Sequence, residues 1–103
     1  MGDKALLGGY FVTRENIAKN AAVLRRFNAA MYRTATWSNA NRDKTALILQ
    51  KYTRISDDAV RHMNRVAYAD ALDAAQVQPT LDQAFKARFI DKHVSASDII
   101  VKL

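Results

Sequence analysis

Cysteine is absent from the 103 residues, proline occurs once and glycine three times. Without cysteine, a disulfide framework, a thiol nucleophile and a Cys-based zinc site are all excluded. So few turn residues cannot serve a many-stranded sheet, and the balance tips to helix. No apolar run approaches the ~18 residues of a membrane span, so no membrane insertion is expected. Nor does the chain open with a basic stretch, an apolar run and a small-residue cleavage site, so no signal peptide is read at its start. What is present is a globular composition, 50% apolar and 25% charged, and not that of a disordered chain. The length fits one small domain, residues 1–103, in which much apolar surface stays wet.

The formal charge of +6 raises the question of nucleic acid, which requires Lys and Arg gathered on one surface. Here Arg25, Arg26, Arg33, Arg42, Lys44, Lys51, Arg54, Arg61, Arg65, Lys86, Arg88 and Lys92 are spread along the chain. Asp57, Asp58, Asp70, Asp73 and Asp82 lie between them. That spread reads as a solvated basic surface and argues against a nucleic-acid partner.

Residues 5–13 form the one strand candidate, short and aromatic or branched around Tyr10-Phe11-Val12, with Gly8-Gly9 free to bend. Without a neighbouring strand its N–H and C=O groups need water, a dimer partner or another conformation. Thr13 is an N-cap with Glu15 in the first turn, and the helix it opens runs to about Ala40. Its predicted core stripe is Ile17, Asn20, Leu24, Phe27, Met31 and Thr34, widened by Val23, Ala30 and Trp37. Asn41 should cap a helix over 42–52. Ser56, with Asp57 and Asp58, opens another to about Leu72, on which Arg61 and Arg65 lie on the wet side. Asp73 begins a connection compatible with a turn of helix, and Pro79 suits the first position of a helix carrying Leu81, Ala84, Phe85 and Phe89. Ser95 and Asp98 have capping-box spacing before a last short helix. The fold class is therefore mainly α, an array of about five or six helices after one short strand.

Several of these segments, in this order, resemble a known family. They are Tyr10-Phe11-Val12 running into Asn16-Ile17-Ala18-Lys19-Asn20, then Phe27-Asn28-Ala29-Ala30, Asn39-Ala40-Asn41, Leu49-Gln50-Lys51-Tyr52 and Val77-Gln78-Pro79-Thr80-Leu81-Asp82. From Gly9 to Leu103 the chain resembles the C-terminal part of periplasmic substrate-binding proteins that serve ABC importers of nitrate, sulfonates and taurine. The resemblance implies part of one lobe of a bilobal α/β receptor that closes on a small anionic solute and docks on a membrane permease. It implies a periplasmic location for the intact protein; this chain, expressed as it stands without a signal peptide, would be cytoplasmic. Two departures stand out. The family usually breaks the first long helix with proline near Ala21, and it commonly has proline where Arg42 follows Asn41.

The chemistry-bearing residues give no active site. His62 and His93 lie on different predicted elements, and neither has a companion at helical metal-pair spacing. No glycine-flanked turn presents a serine nucleophile, and Gly8-Gly9 lacks the spacing and the lysine of a phosphate loop. Asp57-Asp58 reads as helix-start acids. No enzyme activity, cofactor or metal is expected. The resemblance places Tyr10 near the ligand cleft of an intact receptor, as a candidate ligand-binding residue, while Trp37 reads as the edge of a core. A part of one lobe should not hold a solute, because the head-group clamp belongs to residues outside this stretch. Helix faces shaped to cover a sheet should instead be left open, and a homo-oligomer is expected, with the strand 5–13 or the long helix at the contact.

Overall fold

The computed structural model describes residues 6–103, and helix is the only regular secondary structure among them. Five helices follow one another: α1 Arg14–Ala40, α2 Arg42–Tyr52, α3 Asp57–His62, α4 Ala74–Lys86 and α5 Ala96–Ile99. The mainly helical expectation is met. The strand is not: residues 6–13 have no regular structure, and Ala5 lies outside the described residues. A strand exists only by exchanging backbone hydrogen bonds with another, and no second strand is found among the described residues. Gly8 and Gly9 keep ordinary φ angles with open space around them, so glycine is not required at either position.

The chain divides into two compact units, one of Met1–Arg25 with Ala71–Leu103 and the other of Arg26–Asp70. In the first unit, Thr13 caps α1 as predicted, its Oγ1 accepting from the Asn16 N–H at 3.1 Å. The helix then bends at Asn20, whose φ of −128° and ψ of 25° leave the helical well. Asn20 Nδ2 donates to Asn16 Oδ1 at 3.0 Å, the local side-chain bonding by which asparagine competes with a regular helix. No proline is present to cause the bend.

α4 begins earlier than the sequence predicts. Asp73 and Gln76 form a reciprocal capping box, Gln76 N–H to Asp73 Oδ1 at 3.0 Å and Asp73 N–H to Gln76 Oε1 at 3.3 Å. Pro79 is consequently inside the helix and not at its first position. There it removes one backbone donor. α4 ends on Arg88 at φ 61°. The Phe89 N–H donates to Ala84 O at 2.9 Å and the Arg88 N–H to Phe85 O at 3.0 Å, the bond pair of a Schellman stop, which usually has glycine at the Arg88 position. The capping box expected of Ser95 and Asp98 does not form. Instead the Ala96 N–H is taken by Gln78 Oε1 at 2.8 Å. Val77 and Ala96 are the buried apolar residues of this unit.

In the second unit, α1 half-buries Asn28, Ala30, Met31, Tyr32 and Ser38 and buries Ala35. Phe27, Thr34 and Trp37 stay exposed. The predicted stripe is thus met at Ala30 and Met31, while the buried centre lies at Ala35, off that stripe. Asn41 starts α2 but makes no side-chain cap. Its Nδ2 donates backwards to Trp37 O at 2.9 Å, closing the end of α1. Ser56 does cap α3, accepting from the Ala59 N–H at 3.1 Å. α3 then stops at His62, ten residues short of Leu72, and packs against α2 through a core around Val60.

Candidate interaction surface

The early end of α3 has a cause in side chains from elsewhere in the second unit. Asn39 Nδ2 donates to Tyr68 O at 2.7 Å while Asn39 Oδ1 accepts from the Tyr68 N–H at 2.9 Å. The side-chain amide thus pairs with backbone as a neighbouring strand would. Arg42 donates to Val66 O and Arg65 O, each at 3.3 Å. Arg65 answers with bonds to Arg42 O at 2.7 Å and Thr45 Oγ1 at 3.3 Å. The backbone carbonyls of Arg65, Val66 and Tyr68 are therefore held in an irregular path, and helix is no longer the best use of them. Arg65, expected on the wet side, is half-buried. This clamp was not legible in sequence, since its members lie 20 to 29 positions apart.

Beside the clamp, the C-terminal half of α1 presents a second face outward. Two shallow, open hollows lie along it, one lined by Ala30, Arg33, Thr34 and Trp37, the other by Tyr32, Arg33, Thr36, Trp37, Ala40 and Asn41. Arg33 and Trp37 line both. Trp37 is 44% exposed, partly packed and partly open to solvent. The positions Ala30, Thr34 and Trp37 follow the three-and-four rhythm of one helix face. Tryptophan, tyrosine and arginine at the centre of a surface patch are the residue types that carry most binding energy in protein interfaces. From Asn16 to Asn41 α1 and its following cap contain no carboxylate, and Arg25, Arg26 and Arg33 enter no ion pair among the described residues.

The first unit holds a polar latch. Gln78 Nε2 donates to Asp82 Oδ1 at 2.8 Å and to Val94 O at 3.1 Å. Together with the Ala96 contact, these bonds fasten α5 and the segment before it to α4. His93 Nε2 lies 3.1 Å from the same Asp82 oxygen, and its ring meets Phe85 edge to face at 5.8 Å. An aspartate and a histidine are thus brought together, yet both side chains are at least half exposed. One imidazole nitrogen faces the carboxylate, and among the described residues no serine, threonine or lysine is bonded to the ring. The arrangement orders a turn and presents no nucleophile.

The other sequence candidates remain apart. Tyr10 is 77% exposed within residues 6–13, on a different unit from Trp37. His62 is an exposed helix-end residue whose Nδ1 lies 2.8 Å from Asp58 O. Among the described residues no three His, Cys, Asp or Glu side chains are placed to hold a metal ion, and no helix is long and apolar enough to cross a membrane. No protein-family model, curated protein or solved structure matches this chain.

Proposed function

We propose that this chain is part of one lobe of a bilobal solute-binding protein of the nitrate, sulfonate and taurine importers, and that other residues supply the sheet its helices cover. The observation that carries this reading is the exposure of large apolar side chains in both units. Among the described residues only Ala35, Val60, Val77 and Ala96 are buried, whereas Leu47, Tyr52, Met63, Tyr68, Phe89 and Ile99 lie open to solvent. Each Leu or Phe so covered by a sheet would contribute roughly 1.5–3 kcal/mol. The order of the resembling segments, and the bend at Asn20 beside the family's proline position, support the same assignment. On this reading the intact protein is periplasmic, takes a small anionic solute between its lobes with Tyr10 at the cleft, and meets its permease. By itself the present chain holds no solute.

An antibody raised against this chain and used on an osmotic-shock extract of the source cells tests the proposal. The expected product is much larger than 11.6 kDa. A band at that mass in the cytosol, with none in the shock fraction, would overturn it.

A second reading, a self-associating helical module, is favoured by the outer side of α2, where Leu47 is 67% and Tyr52 76% exposed. Pairing two copies through such a face buries it without any additional chain. Sedimentation equilibrium at tens of micromolar decides: a dimer or larger species is expected, and a monomer throughout eliminates the idea.

A further inference from the structure

We propose that the outward face of α1 in the second unit, centred on Arg33 and Trp37, is a docking site for an acidic amphipathic helix. The inference rests on the reading that this chain's exposed faces are covered by other polypeptide, and it specifies the chemistry of that cover for one face. Ala30 and Thr34 are small, and with Arg33 and Trp37 they line an open hollow. Such a dip between larger side chains seats an apolar knob from a facing helix. Arg26 and Arg33, seven positions apart, follow one edge of the stripe and give it a basic border.

Charge selects the occupant. No carboxylate occurs from Asn16 to Asn41, and neither Arg26 nor Arg33 is ion-paired among the described residues. Two copies meeting through this face would align four arginines along one seam with no carboxylate between Asn16 and Asn41 of either copy to offset them, an arrangement that like-charge repulsion disfavours. A helix with leucines at three- and four-residue steps and glutamates beside them fills the hollow and answers both arginines. The face therefore discriminates against a second copy of itself, and the self-pairing face of the second reading lies instead on α2.

Trp37 is the sole tryptophan in the chain, so its emission reports on this face directly. The full chain is titrated with a helical leucine–glutamate peptide, with its leucine–lysine counterpart and with phosphatidylserine vesicles. A saturable blue shift with the acidic peptide is expected, weakened about tenfold in the Arg26→Glu, Arg33→Glu double variant. That variant should gain binding to the lysine peptide. The reciprocal swap reads specificity within one folded protein, whose helicity circular dichroism checks. Equal binding of both peptides, a response to vesicles only, or a blue shift that follows the chain's own concentration without peptide would each overturn the proposal. The two levels of inference separate on dye binding. If an apolar dye binds the chain but peptides show no charge preference, only this inference fails; if neither dye nor peptide binds, the reading of open faces fails with it.

Discussion

Arg88 sits in the left-handed region at φ 61° because the Schellman stop of α4 requires that turn, and a side chain with a Cβ pays about 1–2 kcal/mol to enter it. Arg88→Gly should therefore raise the unfolding free energy by about 1 kcal/mol, while the β-branched Arg88→Val should lower it. Urea denaturation followed by circular dichroism measures both, and a destabilised glycine variant would show that Arg88 makes a compensating interaction. Asn39 illustrates the opposite case, a side chain whose role is invisible locally. Its two bonds to Tyr68 are worth about 1–2 kcal/mol together. Asn39→Ala should release residues 64–68 and accelerate tryptic cleavage after Arg65. Unchanged cleavage kinetics would mean that the arginine clamp holds the segment without Asn39. Asparagine near a helix end reads as a turn, and nothing local marks Asn39 for an amide pair with Tyr68, 29 positions on.

Helices whose starts depend on near neighbours were legible: Thr13 with Asn16, and Ser56 with Ala59, cap as their types and spacing require. α4 shows where the same logic was misapplied. Pro79 drew the start of the helix to itself, although Asp73 and Gln76 carry capping-box spacing six residues earlier. Asp73→Ala should cost about 1 kcal/mol by removing that cap. Pro79→Ala should stabilise by roughly 1–3 kcal/mol, since alanine restores a backbone donor toward the carbonyl of Ala75, four residues back. Thermal melts of the two variants should move in opposite directions, and a fall for both would mean that the proline ring's packing outweighs its missing N–H. α3 could not be read to its true end. Val60, Met63 and Ala67 keep helical spacing, but carbonyls beyond Met63 are captured by Arg42 and Asn39, and periodicity carries no record of such distant partners.

For the molecule as a whole, the consequence of the open faces is measurable without knowing any ligand. Leu47, Tyr52 and Phe89 keep at least two thirds of their surface in solvent, so the chain should bind an apolar dye at neutral pH while retaining its helical circular dichroism. Self-association, if it runs through α2, should strengthen in sulfate. Lack of dye binding in a helical monomer would count against both functional readings. The sequence by itself determined the helical class, the absence of any thiol or cysteine-metal chemistry, and the caps at Thr13 and Ser56, because these depend on composition and on bonds within one turn. Tertiary structure alone decided which side of α1 faces inward, where α3 stops, and that an orphan strand is no strand, because each depends on a partner group far away in the chain or on one the described residues do not contain.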